Sequence, residues 1–286
     1  MAIMAACSSE NRIDDGDDPL QLVPITTHAS IGDIVVTKAG DPCVLPTQPM
    51  DVTFFRDDSL LNFRDIEGRI EATINTDGTV VFNPTQYYQA DGAKTRMFGW
   101  YPRVGGIDEQ TTDFEIDGKT DILISEPEYG DKYTQEIDQF NFKHKLTKID
   151  IEALADNDGV SQTWGKIIDI FVKSTSSSCT IDFPDNSLDF DHVVRDLPVE
   201  LTETAADDPG KPSKFCGSVM IAPFEGNLEI MIITERAAKT ITLVEEFDAG
   251  YAYKILLNFT ATEINPVACI EAWDYDDNDD LSIDVH

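Results

Sequence analysis

The chain has few basic residues, few cysteines and few histidines, and each shortage argues against a class of function. Among its 286 residues, 21 lysines and arginines stand against 54 aspartates and glutamates, giving a formal charge of -33. A surface of that sign repels phosphate backbones and anionic lipid headgroups alike, which argues against nucleic acid as a partner. Otherwise the acidity speaks only of solubility. Five cysteines, Cys7, Cys43, Cys179, Cys216 and Cys269, lie too far apart for zinc spacing or a redox pair, both of which need ligands a few residues apart. The last four read as small apolar side chains for a core, while a disulfide among the three late ones stays open, its pairing unspecified. Four histidines, His28, His144, His192 and His286, have no cysteine or carboxylate at metal spacing. No stretch approaches the ~20 consecutive apolar residues of a membrane-spanning helix, so any tie to a membrane is covalent or through a partner.

Catalytic signatures are missing as well. No nucleophile elbow, phosphate loop, dinucleotide fingerprint or zinc-protease motif occurs. Carboxylates are so numerous that some pair would always suit glycoside hydrolysis, and no particular pair is informative. Asp274, Asp276 and Asn278 alternate as in a calcium loop, but the glycine at the sixth position and the glutamate at the twelfth are missing, which favours a solvated loop. The expectation is a protein that is not an enzyme, with no catalytic residues, no metal and no cofactor.

What is present is material for cores and strands. Hydrophobic residues make up 41% of the chain in short, dispersed runs, enough to fold. The length suits two domains of about 100–150 residues each. From Gly250 to Thr260, Tyr251, Tyr253, Ile255, Leu257 and Phe259 share one parity, the pattern of a strand with one face in a core. Asn265 and Pro266 then break the run before a second apolar segment ending at Trp273. Residues 70–74 and 79–82 flank Asn75 to Gly78, whose Asp-Gly pair suits a tight hairpin. Further strands are expected at 52–55, 97–102, 114–116, 121–125, 167–172, 179–183, 218–222, 228–233 and 239–244. From Phe140 to Ala153 the apolar parity changes, which a bulge or bend near Leu146 would reconcile. Asp156 to Gly159 reads as a turn. Strands at this density favour sandwiches. The polar link from Glu126 to Asp138 divides the chain into residues 20–133 and 134–286.

Before residue 20 the character differs. Met1 to Cys7 is apolar, then small, then cysteine, and resembles a bacterial lipobox in which Cys7 becomes the acylated first residue; an ordinary amino terminus with an incidental cysteine is the alternative. Ser8 to Asp18 is polar and acidic and reads as a tether, either a plain linker or an export signal to the outer face of the outer membrane. Residues 1–19 are accordingly set apart from the two domains.

Several short stretches, in order, carry a family resemblance: Gly99 to Pro102, Thr120 to Ile124, Phe142 to Ile149, Ala249 to Tyr253 and Ile270 to Trp273. With the cysteine near the start, the chain resembles the Mfa-like fimbrillins, subunits and accessory proteins of type V pili. The resemblance implies an all-β fold of two tandem transthyretin-like (Ig-like) β-sandwich domains, and a surface-exposed outer-membrane lipoprotein or fimbrium component. It further implies a structural or adhesive subunit, tip or anchor that joins other fimbrial subunits by donor-strand exchange, with a host surface receptor as a further partner. The first strand falls near Leu20 to Ile31. Thr27 is followed by His28 where relatives often carry arginine, so Lys38 and Arg56 become the candidate processing sites. Leu281, Ile283 and Val285 mark a candidate donor strand, or else a tail that closes its own domain. A surface binding module for glycan or another nutrient is the alternative from a different class.

Overall fold

A computed structural model describes residues 22–32, 43–58, 69–104, 111–155, 157–183, 187–202 and 214–271. Among them the first strands are β1 (His28–Gly32), β2 (Cys43–Val44), β3 (Met50–Asp57), β4 (Arg69–Ile74), β5 (Val80–Asn83), β6 (Thr95–Tyr101), β7 (Thr111–Glu115), β8 (Leu123–Ser125), β9 (Glu128–Gly130) and β10 (Gln139–His144). There follow β11 (Thr147–Ala155), the short helix α1 (Asp158–Trp164), β12 (Ile167–Ser176), β13 (Ser178–Asp182), β14 (Ser187–Phe190), β15 (Val194–Pro198) and β16 (Glu200–Leu201). The last strands are β17 (Lys214–Ile221), β18 (Phe224–Thr234), β19 (Ala238–Phe247), β20 (Ala252–Phe259) and β21 (Ile264–Glu271). The all-β expectation holds.

Nine strands form the first sheet, in the order β2-β1-β10-β8-β6-β3-β4-β5, with β9 on β6. Its central strands are apolar on both faces because each face meets a core. Along β3, Phe54 joins one buried cluster and its neighbour Phe55 the other, and along β6 the same alternation sends Met97 and Phe98 apart. The expected hairpin is present: Ile74 pairs with Val80, and Gly78 takes the positive φ of 83° that the turn needs.

The remaining strands form sheets of five (β16-β17-β11-β20-β21), four (β15-β12-β18-β19) and three (β14-β13-β7). Tyr253, Ile255, Leu257 and Phe259 are buried on β20 as their parity predicts. Their core reaches across to the first sheet. Phe183 stacks on Phe55 at 4.9 Å and on Trp100 at 5.3 Å between ring centroids.

Several details differ from the sequence reading. The apolar run from Phe140 to Ala153 does bend, after His144, but its two pieces part company. β10 pairs with β1 and β8 in the first sheet, whereas β11 pairs with β17 and β20. The strand that opens residues 134–286 is thus hydrogen-bonded into the sheet of residues 20–133, and β7 of the first half pairs with β13 of the second. Asn265 and Pro266 lie within β21, opposite Asn258 and Leu257, because β21 is an edge strand where a missing amide proton is tolerated. Of the expected turn, residues 157–159 instead begin α1: the Asn157 side chain accepts from the amides of Gly159 at 3.0 Å and Val160 at 3.2 Å, which caps a helix.

Candidate functional site

Residues 22–32 enter the first sheet as an inserted wedge. The Ile25 amide donates to the Gln86 carbonyl at 2.9 Å, and the Tyr88 amide returns a bond to the Val23 carbonyl at 2.9 Å. Val80 donates to Thr27 at 3.1 Å, Ala29 to Gly78 at 2.7 Å and His28 to Asp138 at 3.0 Å. β1 then runs parallel to β10, with Ala29 opposite Phe140 and Ile31 opposite Phe142. The segment therefore links the β5 end of the nine-stranded order to the β10 side and closes the structure around its core.

Ile25, Ala29 and Ile31 project into that core and are almost fully buried. Its floor is aromatic: Phe54 meets Phe140 at 4.8 Å and Phe82 at 5.2 Å, ring centre to ring centre, both edge-on. Gly99 makes the floor fit, since a Cβ there would sit 2.8 Å from both Phe54 and Phe142. On the polar side, Gln139 Nε2 donates to Ser30 Oγ at 3.2 Å. Each buried isoleucine contributes roughly 1.5–3 kcal/mol and each backbone bond about 1 kcal/mol net, so a few residues hold the segment firmly.

Among the sequence-selected residues, Arg56 is the one within the described residues. It lies in β3, opposite Met97 of β6, with Nε donating to Asp58 Oδ1 at 2.8 Å and Nη1 to Gln86 Oε1 at 3.0 Å. The same Gln86 accepts the Ile25 amide, so Arg56 props the groove wall. Cys7, Lys38, Leu281, Ile283 and Val285 lie outside the described residues, as does the alternating acidic loop at 274–280. Gly78, Gln86, Tyr88 and Asp138 line the groove; the sequence marks Gly78 only as a hairpin glycine and Asp138 only as the end of a polar link, and does not mark Gln86 or Tyr88. They act through backbone groups, which leave no side-chain signature.

No disulfide joins the three late cysteines. Cys179 and Cys216 are buried free thiols, and burial pushes their pKa values up to about 12 and about 11. Cys269 is exposed on β21, its Sγ 3.7 Å from the Lys254 carbonyl oxygen. At the step from β10 to β11, His144 Nδ1 and Asp121 Oδ2 lie 2.5 Å apart in the interior. Asp121 Oδ1 also accepts the Ile122 amide at 2.8 Å.

The architecture is shared with solved proteins from Bacteroides species. A candidate cell adhesion protein from Bacteroides uniformis superposes with a TM-score of 0.65 at 14% identity, covering 88% of this chain and 98% of its own. One from Bacteroides ovatus gives 0.65 at 15% identity over 90% and 100%, and one from Bacteroides fragilis gives 0.54 at 10% identity over 90% and 100%. These likenesses concern the fold. No curated protein matches the sequence. The profile described as fimbrillin-like matches residues 62–273. The chain belongs to the fimbrillin-like family, proteins with structural or adhesive roles in fimbriae at the cell surface.

Proposed function

We propose that this fimbrillin-like chain is a fimbrial subunit that joins its neighbours by strand replacement, with residues 22–32 occupying the acceptor groove until they are removed. The observation that carries the reading is the arrangement of that segment. Its backbone is bonded on both sides, its apolar side chains fill a core, and its chain connection to β2 runs through residues 33–42, which include Lys38. Cleavage after Lys38 would leave β1 held by non-covalent contacts alone. Loss of the strand would then expose unpaired backbone groups and an apolar floor, which an extended segment of another subunit satisfies.

The carboxyl-terminal stretch suits that role. Leu281-Ser282-Ile283 repeats the small motif Ala29-Ser30-Ile31 with one substitution. Aligned on it, Ser282 takes the place of Ser30 beside Gln139, and Ile283 that of Ile31 against Phe142. Lys38 is the preferred processing site over Arg56, because cutting at Arg56 requires β3 to leave its pairing with β6. Cys7 as a lipid attachment point would tether the unprocessed chain to the outer membrane.

Brief digestion with a lysine-specific protease, followed by mass spectrometry and an unheated denaturing gel, tests the proposal. The expected result is loss of the segment ending at Lys38 and a ladder of oligomers, both abolished by Lys38→Gln. A trimmed or intact chain that stays monomeric would sink the strand-replacement role.

A further inference from the structure

The polar wall of the groove carries side chains able to tell one strand from another. β1 runs parallel to β10 with His28 opposite Gln139, Ser30 opposite Asn141 and Gly32 opposite Lys143. These six positions share one parity, on the other face of the strands from Ile31 and Phe142. Ser30 is buried and its Oγ accepts from Gln139 Nε2 at 3.2 Å. The next contact along the wall is incomplete: Asn141 Oδ1 is buried and has no hydrogen-bond partner among the described residues.

Gly32 offers that amide nothing. A Cβ built on Gly32 would lie 2.9 Å from Asn141 Oδ1 and 3.0 Å from its Nδ2, so the amide fills the space that a side chain would take. The backbone does not ask for glycine here, because Gly32 is not among the glycines with positive φ. The crowding atoms belong to the end of a rotatable side chain, which can swing aside to meet a residue with something to accept.

Charge states what that residue is. Lys143 Nζ donates to Glu126 Oε1 at 3.0 Å in an exposed pair, the kind that holds its partners weakly. Lys145 feels both charges, so two lysines stand against one glutamate at the Gly32 end of a chain whose net charge is -33. Glu128 stands near Glu126 and Asp138, and the opposite end of β1 is acidic, with Asp138 beside Gln139 and Asp77 near His28. The wall thus favours a strand whose negative charge sits at the Gly32 end.

We propose that Asn141 and Lys143 select the strand that the groove accepts, and that the selected occupant is the carboxyl-terminal segment of a second copy of this chain, entering with Asp284 at the place of Gly32. The inference rests on the strand-replacement reading. With Ser282 aligned on Ser30 and Ile283 on Ile31, the next residue is Asp284 where the resident strand has Gly32. Its carboxylate falls opposite Lys143 and accepts from Asn141 Nδ2, a charge-assisted contact that the resident strand lacks. At the other end Asp280 replaces His28 near Asp77 and Asp138, which opposes entry; Asp77 is exposed and screened by water, so the Asp284 end decides. The resident strand is the weaker occupant at this position, which favours its replacement.

The test begins with the whole, unprocessed chain, in which Gly32→Asp, Gly32→Asn and Gly32→Lys are compared by hydrogen exchange at residues 28–32. Gly32→Asp is expected to be the most protected and Gly32→Lys the least, about tenfold apart at low salt and closer at high salt. Lys143→Met should remove the advantage of Gly32→Asp over Gly32→Asn. Protection in Gly32→Lys that equals or exceeds that in Gly32→Asp overturns the proposal. A second arm offers the lysine-cleaved chain two fluorescent peptides, residues 278–286 as they stand and the same segment with Asp284→Lys. The first is expected to bind about fivefold or more tightly than the second. Equal uptake of the two overturns the proposal alone, whereas uptake of neither overturns it together with the strand-replacement reading.

Discussion

The carbonyl of Gly78 accepts the Ala29 amide at 2.7 Å, and a Cβ built on Gly78 would stand 2.9 Å from the Ala29 carbonyl oxygen. One glycine thus closes a hairpin and receives the amino-terminal segment. Its φ of 83° is open to glycine at no steric cost. Gly78→Val therefore strains the turn and pushes the segment away at once. A loss of about 1–3 kcal/mol in unfolding free energy is expected by denaturant titration, with faster hydrogen exchange at residues 23–32 than in β20.

Ile31 packs in the same groove beside Phe142 and is 2% exposed. Ile31→Ala leaves a cavity over an aromatic floor that has little room to collapse, at a cost of about 2–4 kcal/mol. The groove-filling role adds a kinetic readout. The variant should release residues 22–32 faster after lysine-specific cleavage than the parent, as followed by size exclusion and mass spectrometry. Equal release rates would argue that Ile31 does not anchor the segment.

Asp117 provides a pH-dependent contribution with a defined sign. Partial burial alone would raise its pKa, but the amides of Thr120 at 2.7 Å and Lys119 at 2.8 Å and the Thr120 hydroxyl at 2.9 Å outweigh burial and hold it below the ordinary range. A depressed folded-state pKa stabilises the fold above the unfolded value of ~3.9, and that stability is lost as pH falls through the folded value. Thermal melting from neutral pH into this acid range should show a shallower decline for Asp117→Asn than for the parent. Identical slopes would remove Asp117 from the account.

The three described thiols should separate under alkylation. Cys269 is exposed on an edge strand, whereas burial keeps Cys179 and Cys216 protonated, with values near 12 and 11. Iodoacetamide on the native chain at mildly alkaline pH should label Cys269 first, and the other two only after denaturant is added. Early labelling of Cys179 would contradict its place in the core.

The shared family and the all-β class were legible because they rest on local patterns. Alternation along Ala252–Phe259 fixes which side chains enter a core, and an Asp-Gly pair between two apolar runs specifies the hairpin at 75–78 whatever surrounds it. The candidate groove was legible only in outline. Its first strand could be placed near residues 20–31, but its walls are carbonyls and amides of Gly78, Gln86, Tyr88 and Asp138, and every residue carries those groups.

What the sequence determined by itself is most of the long strands, the acidic surface and the membership carried by its motif order; the short β2, β9, β14, β15 and β16 had no pattern to mark them. Tertiary structure decided which strands meet. It split the run from Phe140 to Ala153 between two sheets, seated β1 parallel to β10, and put Arg56 beneath the groove wall. It also brought Gly92 under Tyr133, across 41 residues of chain that no periodicity connects. The reason is physical: a side-chain pattern states which face a residue wants buried, whereas strand partners are chosen by whichever non-local pairing satisfies the backbone and fills the core together.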